Sequence, residues 1–409
     1  MGSAYRLFYD DPVHLVRGEG VWLYDASGRR YLDLYNNVPH VGHCHPRVVE
    51  TICEQVRLLN THTRYLHDNV VNLAERLTDK LPRNLDTAMF CCTGSEANEL
   101  ALRIARRATG GTGIIVTECA YHGNTRATYE MSTDSIPPDD VPAHVVTVPA
   151  PDIYRGRYRG EDAAQRYAAH AAKALDTLEE RGIKPAAFVI DTIISSSGVV
   201  APPAGYLRRV AGLMRDAGVL FVADEVQPGF GRTGKNFWGF EADALVPDMV
   251  TMGKPMGNGH PISAVVTRRE LVDAFAAEGG YFNTFGGNPV SCAAALAVLD
   301  VIDEEQLQDN ALEVGSYLVD RLWQLAESHE AIGDVRGSGL FIAVELVDDR
   351  NDRAPATDLA AEVVNGLRQR GILTASIGPD DNILKLRSPL VLTKKNADHA
   401  IGVLDEVLP

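Results

Sequence analysis

Apolar and polar positions follow two different rhythms between residues 88 and 267. Seven short runs, at 88–92, 113–117, 144–148, 186–191, 219–224, 249–252 and 263–267, are almost continuously apolar. That is how strands buried on both faces of a parallel sheet read. Between them, 96–107, 163–181 and 206–217 carry apolar residues at helical spacing. In the first of these, Leu100, Ala101, Ile104 and Ala105 share one face, with Arg103, Arg106 and Arg107 outside it. Strands alternating with helices predict an α/β fold, a three-layer sandwich around a mostly parallel seven-stranded sheet.

The rhythm changes after about residue 300. A strand is expected over 334–346, entered through Arg336-Gly337-Ser338-Gly339, then a helix over 356–370. Short strands near 372–376 and 382–386 and a terminal helix from Asn396 complete a smaller α+β domain. The expected organisation is a large domain over 51–300 and a small one over 301–409, which the turn-rich segment 1–50 joins. The longest polar connection, 134–142, holds Pro137-Pro138-Asp139-Asp140 and reads as a surface loop.

Composition narrows the class. The 409 residues are 45% hydrophobic and 23% charged, ordinary values for a globular protein. Lys plus Arg number 39 against 55 Asp plus Glu, a net charge of −16, which argues against nucleic acid or an anionic membrane as partner. A small anion held in a locally basic pocket is compatible with it. Six cysteines, two of them adjacent (Cys91 and Cys92), are too few for a disulfide scaffold and read as reduced thiols. Residues 1–6 lack the apolar core of a secretory leader, and no apolar run approaches 18 residues. A cytoplasmic, soluble protein is expected.

Four features then ask for one ligand. Thr93-Gly94-Ser95-Glu96-Ala97-Asn98 follows a strand and opens a helix, where small residues and free N–H groups suit a phosphate. Phe221-Val222-Ala223-Asp224-Glu225 ends an apolar strand in acid at the sheet's carboxyl edge, where a carboxylate can keep a pyridine nitrogen protonated. Lys254, in Met252-Gly253-Lys254-Pro255, sits just beyond another strand, and desolvation there would make its amine a nucleophile toward an aldehyde. Tyr121, followed by His122 and Gly123, could stack on a flat ring. Each alone has an ordinary structural reading. Together they describe a site for pyridoxal 5′-phosphate (PLP).

From about Val13 to its end the chain resembles the class III, or ω-type, PLP-dependent aminotransferases of fold type I. The motifs are Gly94-Ser95-Glu96-Ala97-Asn98, Tyr121-His122-Gly123, Ala223-Asp224-Glu225-Val226-Gln227, Met252-Gly253-Lys254 and Asn283-Thr284-Phe285-Gly286-Gly287-Asn288-Pro289. The resemblance implies that Lys254 forms the cofactor aldimine and moves the proton, and that Asp224 pairs with the pyridinium nitrogen. It places Gln227 near the ring hydroxyl, Tyr121 and Val226 on the ring faces, and His122, Gly123 and Asp191 about the cofactor. Gly94, Ser95 and Thr284 of the partner subunit would hold the phosphate, implying a homodimer with shared active sites. Asn37, Lys385 and Arg387 fall on the substrate side; strand alternation also puts the last two on one face.

Asn36-Asn37-Val38-Pro39-His40-Val41-Gly42-His43 and Gly257-Asn258-Gly259-His260-Pro261 look more like the ethanolamine-phosphate phospho-lyase branch than like its neighbour, the type 2 alanine–glyoxylate aminotransferases, whereas the Asn288-Pro289 pair is the form common among aminotransferases. Transamination between an amine and a keto acid is the leading expectation. Elimination from a phosphorylated amino alcohol is the alternative. Asp191-Thr192 stands where many class III enzymes carry Glu-Pro, and Ser196 where several carry an acid that pairs with a substrate-binding arginine.

Two patterns are decoys. Gly229-Phe230-Gly231-Arg232-Thr233-Gly234 spells a dinucleotide fingerprint, but no helical pattern follows it. His40, His43, Cys44 and His45 fit no zinc spacing, so no metal is expected and the segment reads as a loop at the cofactor entrance.

Overall fold

The structure, a computed structural model, describes residue 2, residues 4–277 and residues 279–409. Positions 1 and 3 of the stretch read above as no leader lie outside the described residues. The seven expected strands form one sheet, and their ends move by a residue at most from the apolar runs. In spatial order they are Thr87–Cys91, Ser263–Thr267, Met249–Met252, Leu220–Asp224, Pro185–Asp191, Gly113–Thr117 and Val145–Val148. Only Ser263–Thr267 runs against its neighbours. The other six therefore share one carboxyl edge.

Alternation along each strand splits the core into two layers. Ile114, Val116, Ala187, Val189 and Val222 pack with Leu100, Ala101, Ile104 and Ala105 of the Gly94–Thr109 helix. Ile115, Phe188, Ile190, Phe221 and Ala223 face the other way, into the cluster of Tyr167, Ala171 and Leu178 from the Ala163–Glu180 helix. The Gly94–Thr109 helix starts at a reciprocal cap: Thr93 Oγ1 accepts from Glu96 N at 3.2 Å, and the Glu96 carboxylate accepts from Cys92 N at 2.6 Å and Thr93 N at 3.3 Å. The cap fixes where the first turn faces the sheet edge.

The single strand expected over 334–346 is in fact a hairpin of Ile332–Ser338 and Phe341–Asp349. Gly339, at φ +56°, makes the turn, and Gly337 and Ser338 belong to the first strand. Ile383–Leu386 and Ala375–Ile377 extend this antiparallel sheet. The terminal helix starts at Lys394, two residues earlier than expected, because Thr393 caps it on Asn396. A third sheet ties the chain's ends together: Arg30–Asp33 pairs in parallel with Ile372–Leu373. No helix among the described residues is long and apolar enough to cross a membrane.

Candidate active site

The carboxyl edge of the large sheet carries a cavity of about 340 Å³, within the usual range for small-molecule sites. Gly94, Ser95, Tyr121, His122, Gly123, Asp191, Asp224, Val226, Gln227 and Lys254 all line it. Strand register explains the meeting: Asp191 and Asp224 are paired positions at the ends of adjacent parallel strands, and Asp224 pairs with Thr251, three residues before Lys254.

Asp224, rather than its neighbour Glu225, faces the cavity. Its carboxylate accepts from His122 Nδ1 at 2.8 Å, Asn98 Nδ2 at 2.8 Å and Val226 N at 3.1 Å. Asn98 is oriented in turn, donating also to His122 O at 2.8 Å and accepting from Thr251 Oγ1 at 2.6 Å. Glu225 turns away, accepting from Thr192 Oγ1, Gly239 N and Phe240 N at 2.6, 2.8 and 3.0 Å; burial pushes its carboxyl up to about 7.

Lys254 follows the Met249–Met252 strand at the start of a short 3₁₀ turn. Burial, then the Arg387 charge, lowers its pKa from the ordinary lysine value, against the pull of Asp224 and Asp191. Asp191 is raised by burial and by the Asp224 charge. It accepts from Ser195 Oγ at 2.5 Å and Ser195 N at 3.1 Å.

Lys385 and Arg387 are almost wholly buried rather than solvated strand ends, at 4% and 5% exposure. Both reach the Gln227 carboxamide oxygen, Lys385 Nζ at 3.3 Å and Arg387 through Nη1. Arg387 Nε also donates to Tyr35 O at 3.2 Å. Neither cation has a carboxylate within salt-bridge distance among the described residues. Burial, then Arg387, drives Lys385 well below the ordinary lysine value.

The aminotransferase class-III family profile matches residues 8–408. The chain belongs to the class III aminotransferase family. It is 45% identical to an alanine–glyoxylate aminotransferase 2-like protein of Drosophila melanogaster, over 98% of this chain and 83% of the relative. It is 42% identical to ethanolamine-phosphate phospho-lyase homolog 1 of Caenorhabditis elegans, over 100% of this chain and 91% of the relative. A solved phospholyase from Arthrobacter, in complex with phosphoethanolamine, superposes with a TM-score of 0.96 at 44% identity, covering 100% of this chain and 98% of that one. The fold is accordingly that of fold type I PLP enzymes.

Class III membership implies PLP, and the cavity's own features fit it. At the helix N-terminus the N–H groups of Gly94 and Ser95 have no acceptor among the described residues, as a phosphate cradle requires. A Cβ on Gly94 would meet the Val226 methyls at 3.0 Å, and one on Gly123 would meet Ser95 Oγ at 2.6 Å, so glycine lets these lining segments approach one another closely. His122 Nε2 is buried without a partner.

Other expected residues lie outside the lining. Asn37 is buried beside Val38, which lines the cavity, and both its side-chain polar atoms are unpartnered. Thr284 is exposed. The His40–His45 segment disperses: His40 bonds Arg232 and Phe230 O, His43 bonds Asp33, and His45 bonds Glu305. Asn98 and Ser195 are site residues given no role above: Asn98 closes the Gly94–Asn98 motif but meets Thr251 153 residues on, and Ser195, bonded by Gln227 32 residues on, has no sequence signal.

Proposed function

We propose that this chain is a PLP-dependent lyase that removes phosphate from a phosphorylated amino alcohol such as O-phosphoethanolamine, releasing phosphate, ammonia and an aldehyde. The carrying observation is the buried pair Lys385 and Arg387, which share one neutral amide oxygen and no acid. Two desolvated basic groups with no acid in direct contact suit a phosphate dianion, Asp191 acting on both and Asp33 on Arg387 only at longer range, and Arg offers it a bidentate fork. The phospholyase likeness supports the same reading.

In this reading Gly94 and Ser95, with Thr284 of the partner subunit, hold the cofactor's phosphate. Lys254 would hold the cofactor covalently until the substrate amine takes its place and frees Nζ, Asp224 would face the ring nitrogen, and Tyr121 and Val226 would flank the ring beside His122, Gly123, Asp191 and Gln227. The bound cofactor supplies an electron sink. Lys254 Nζ takes the proton from the substrate's amine-bearing carbon, and its lowered pKa makes it available as a base. Lys385, Arg387 and Asn37 hold the substrate phosphate and balance its charge as its carbon–oxygen bond breaks.

The remaining assignments are part of the same proposal. The chain acts as a homodimer in the cytoplasm, a placement that its six free thiols favour. Residues 51–300 form the cofactor domain, and 301–409 with 1–50 the small one. Thr284 borders an exposed apolar surface that includes Phe282 and Phe285, and His62, which contacts the Phe282 ring, stacks on exposed Tyr65 at 5.3 Å.

Transamination is the second reading, supported by the aminotransferase name of the Drosophila relative. Holoenzyme given O-phosphoethanolamine without keto acid separates the two. Repeated release of phosphate and ammonia, with the cofactor spectrum restored, supports the lyase. Conversion to pyridoxamine phosphate, at no more than one product per site, supports the transferase.

A further inference from the structure

Every proton in one buried chain of side chains can be assigned. The Arg387 guanidinium is a donor only, so the Gln227 oxygen must be the atom facing it, with Lys385 Nζ beside it at 3.3 Å. The Gln227 Nε2 group then points at Ser195 Oγ, which accepts from it. The single Ser195 hydroxyl proton goes to Asp191 Oδ2 at 2.5 Å. Flipping the amide would set NH₂ against two cations. Ser195 is fully buried, so no water competes for its hydroxyl.

We propose that Ser195 is a positioning residue of the anion site: by anchoring the Gln227 amide against Lys385 and Arg387, it makes that amide's oxygen a resident competitor which an incoming phosphate must displace. The inference rests on the reading of the Lys385–Arg387 pair as the substrate-anion site. Hydrogen bonds in a line polarise one another, so the Asp191 carboxylate strengthens Ser195 as acceptor and, through the amide, the hold on both cations. A neutral ligand has nothing to exchange for that hold; a phosphate, with several anionic oxygens, does. The turn around Ser195 does not depend on its hydroxyl. Ser195 N bonds Asp191, Ile194 pairs with Val200, and Arg336 donates to Gly198 O at 2.8 and 3.0 Å.

The test titrates inorganic phosphate calorimetrically into holoenzyme, whose cofactor-phosphate cradle is already filled. Ser195→Ala frees the amide to turn away, so the phosphate dissociation constant should fall about threefold to tenfold, the factor one neutral hydrogen bond carries. Ser195→Thr keeps the hydroxyl and should match the wild type. Structural damage would weaken binding, so the sign separates the two causes. Should Ser195→Ala lose its fold or cofactor, Ser195→Cys, a weak donor and acceptor, should tighten binding about twofold. Equal or weaker binding in the folded variant overturns the role of Ser195 while leaving the anion site intact. Wild-type phosphate binding that is absent, or indifferent to Lys385→Met, overturns the anion site and this inference with it.

Discussion

Arg387→Met removes the guanidinium that reaches Gln227 and Tyr35 O and lies 5.1 Å from the Tyr35 ring. A hydrogen bond to a charged group contributes about 1.5–3 kcal/mol, so two made to a substrate phosphate would carry about 3–6 kcal/mol. Part of that returns. The Arg387 charge is a leading cause, after burial, of the depressed Lys385 and Lys254 values, so Lys385 holds its proton more firmly in the variant and takes up some of the anion's charge. The net expectation is a loss of about 10²-fold in kcat/KM for O-phosphoethanolamine, or about 2.8 kcal/mol at 1.4 kcal/mol per tenfold. The assay is steady-state phosphate release, run beside single-turnover conversion of the cofactor to pyridoxamine phosphate by an unphosphorylated amine with no keto acid present. That second rate should change by less than about threefold, since the amine brings no anion to the site. An equal fall for both substrates, in a variant of unchanged circular dichroism, would refute the assignment.

Lys254→Ala should abolish the visible absorbance of covalently held cofactor and lower turnover by at least about 10²–10⁴-fold, read by spectrum and product assay; a variant that kept both would move the catalytic lysine elsewhere. Phosphate affinity should depend on pH with two limbs. It rises as inorganic phosphate becomes a dianion near neutral pH, and falls as Lys385 loses its proton at a pH below the ordinary lysine value of 10.5, because burial and Arg387 depress it. Calorimetry on Lys385→Met should lose the upper limb alone. Co-expressing Lys254→Ala with Thr284→Glu chains should restore one intact site per mixed dimer, since one site then collects both defects; activity no greater than that of either variant alone would show that Thr284 does not serve its partner.

The large sheet was legible because strands buried on both faces leave continuous apolar runs, and those runs found its order of elements. The hairpin over 332–349 was not, since a turn of Gly339 and Leu340 inserts no polar break before Phe341-Ile342-Ala343-Val344. The Pro289–Glu304 helix is silent for a related reason: it is buried nearly all round, and a helix without a polar face has no period to read. Gly94, Asp224 and Lys254 could be found because each sits at a strand end, where local grammar and chemistry coincide. The roles of Ser195 and Asn98 could not. Gln227 and Asp224, which they meet just beyond and at the end of the Leu220–Asp224 strand, come within hydrogen-bond reach only in the folded register.

The cofactor machinery cannot by itself decide between the two reactions proposed for this chain, because both begin with the proton that Lys254 removes. What divides them is the next bond to break. If the substrate carries no leaving group, the same proton must be returned and amino transfer follows. If it carries a phosphate held by Lys385 and Arg387, those cations stabilise the charge developing on the departing oxygen, an electrostatic effect on the order of 10²–10³-fold per donor in comparable sites. The pair therefore acts twice, first on binding and then on departure. Where an aminotransferase could pair its arginine with an acid, this chain has Ser196 and meets the cations with the neutral oxygen of Gln227. A carboxylate there would already have neutralised the charge on which departure depends; a neutral amide can be displaced and leaves the phosphate to supply the direct counter-charge.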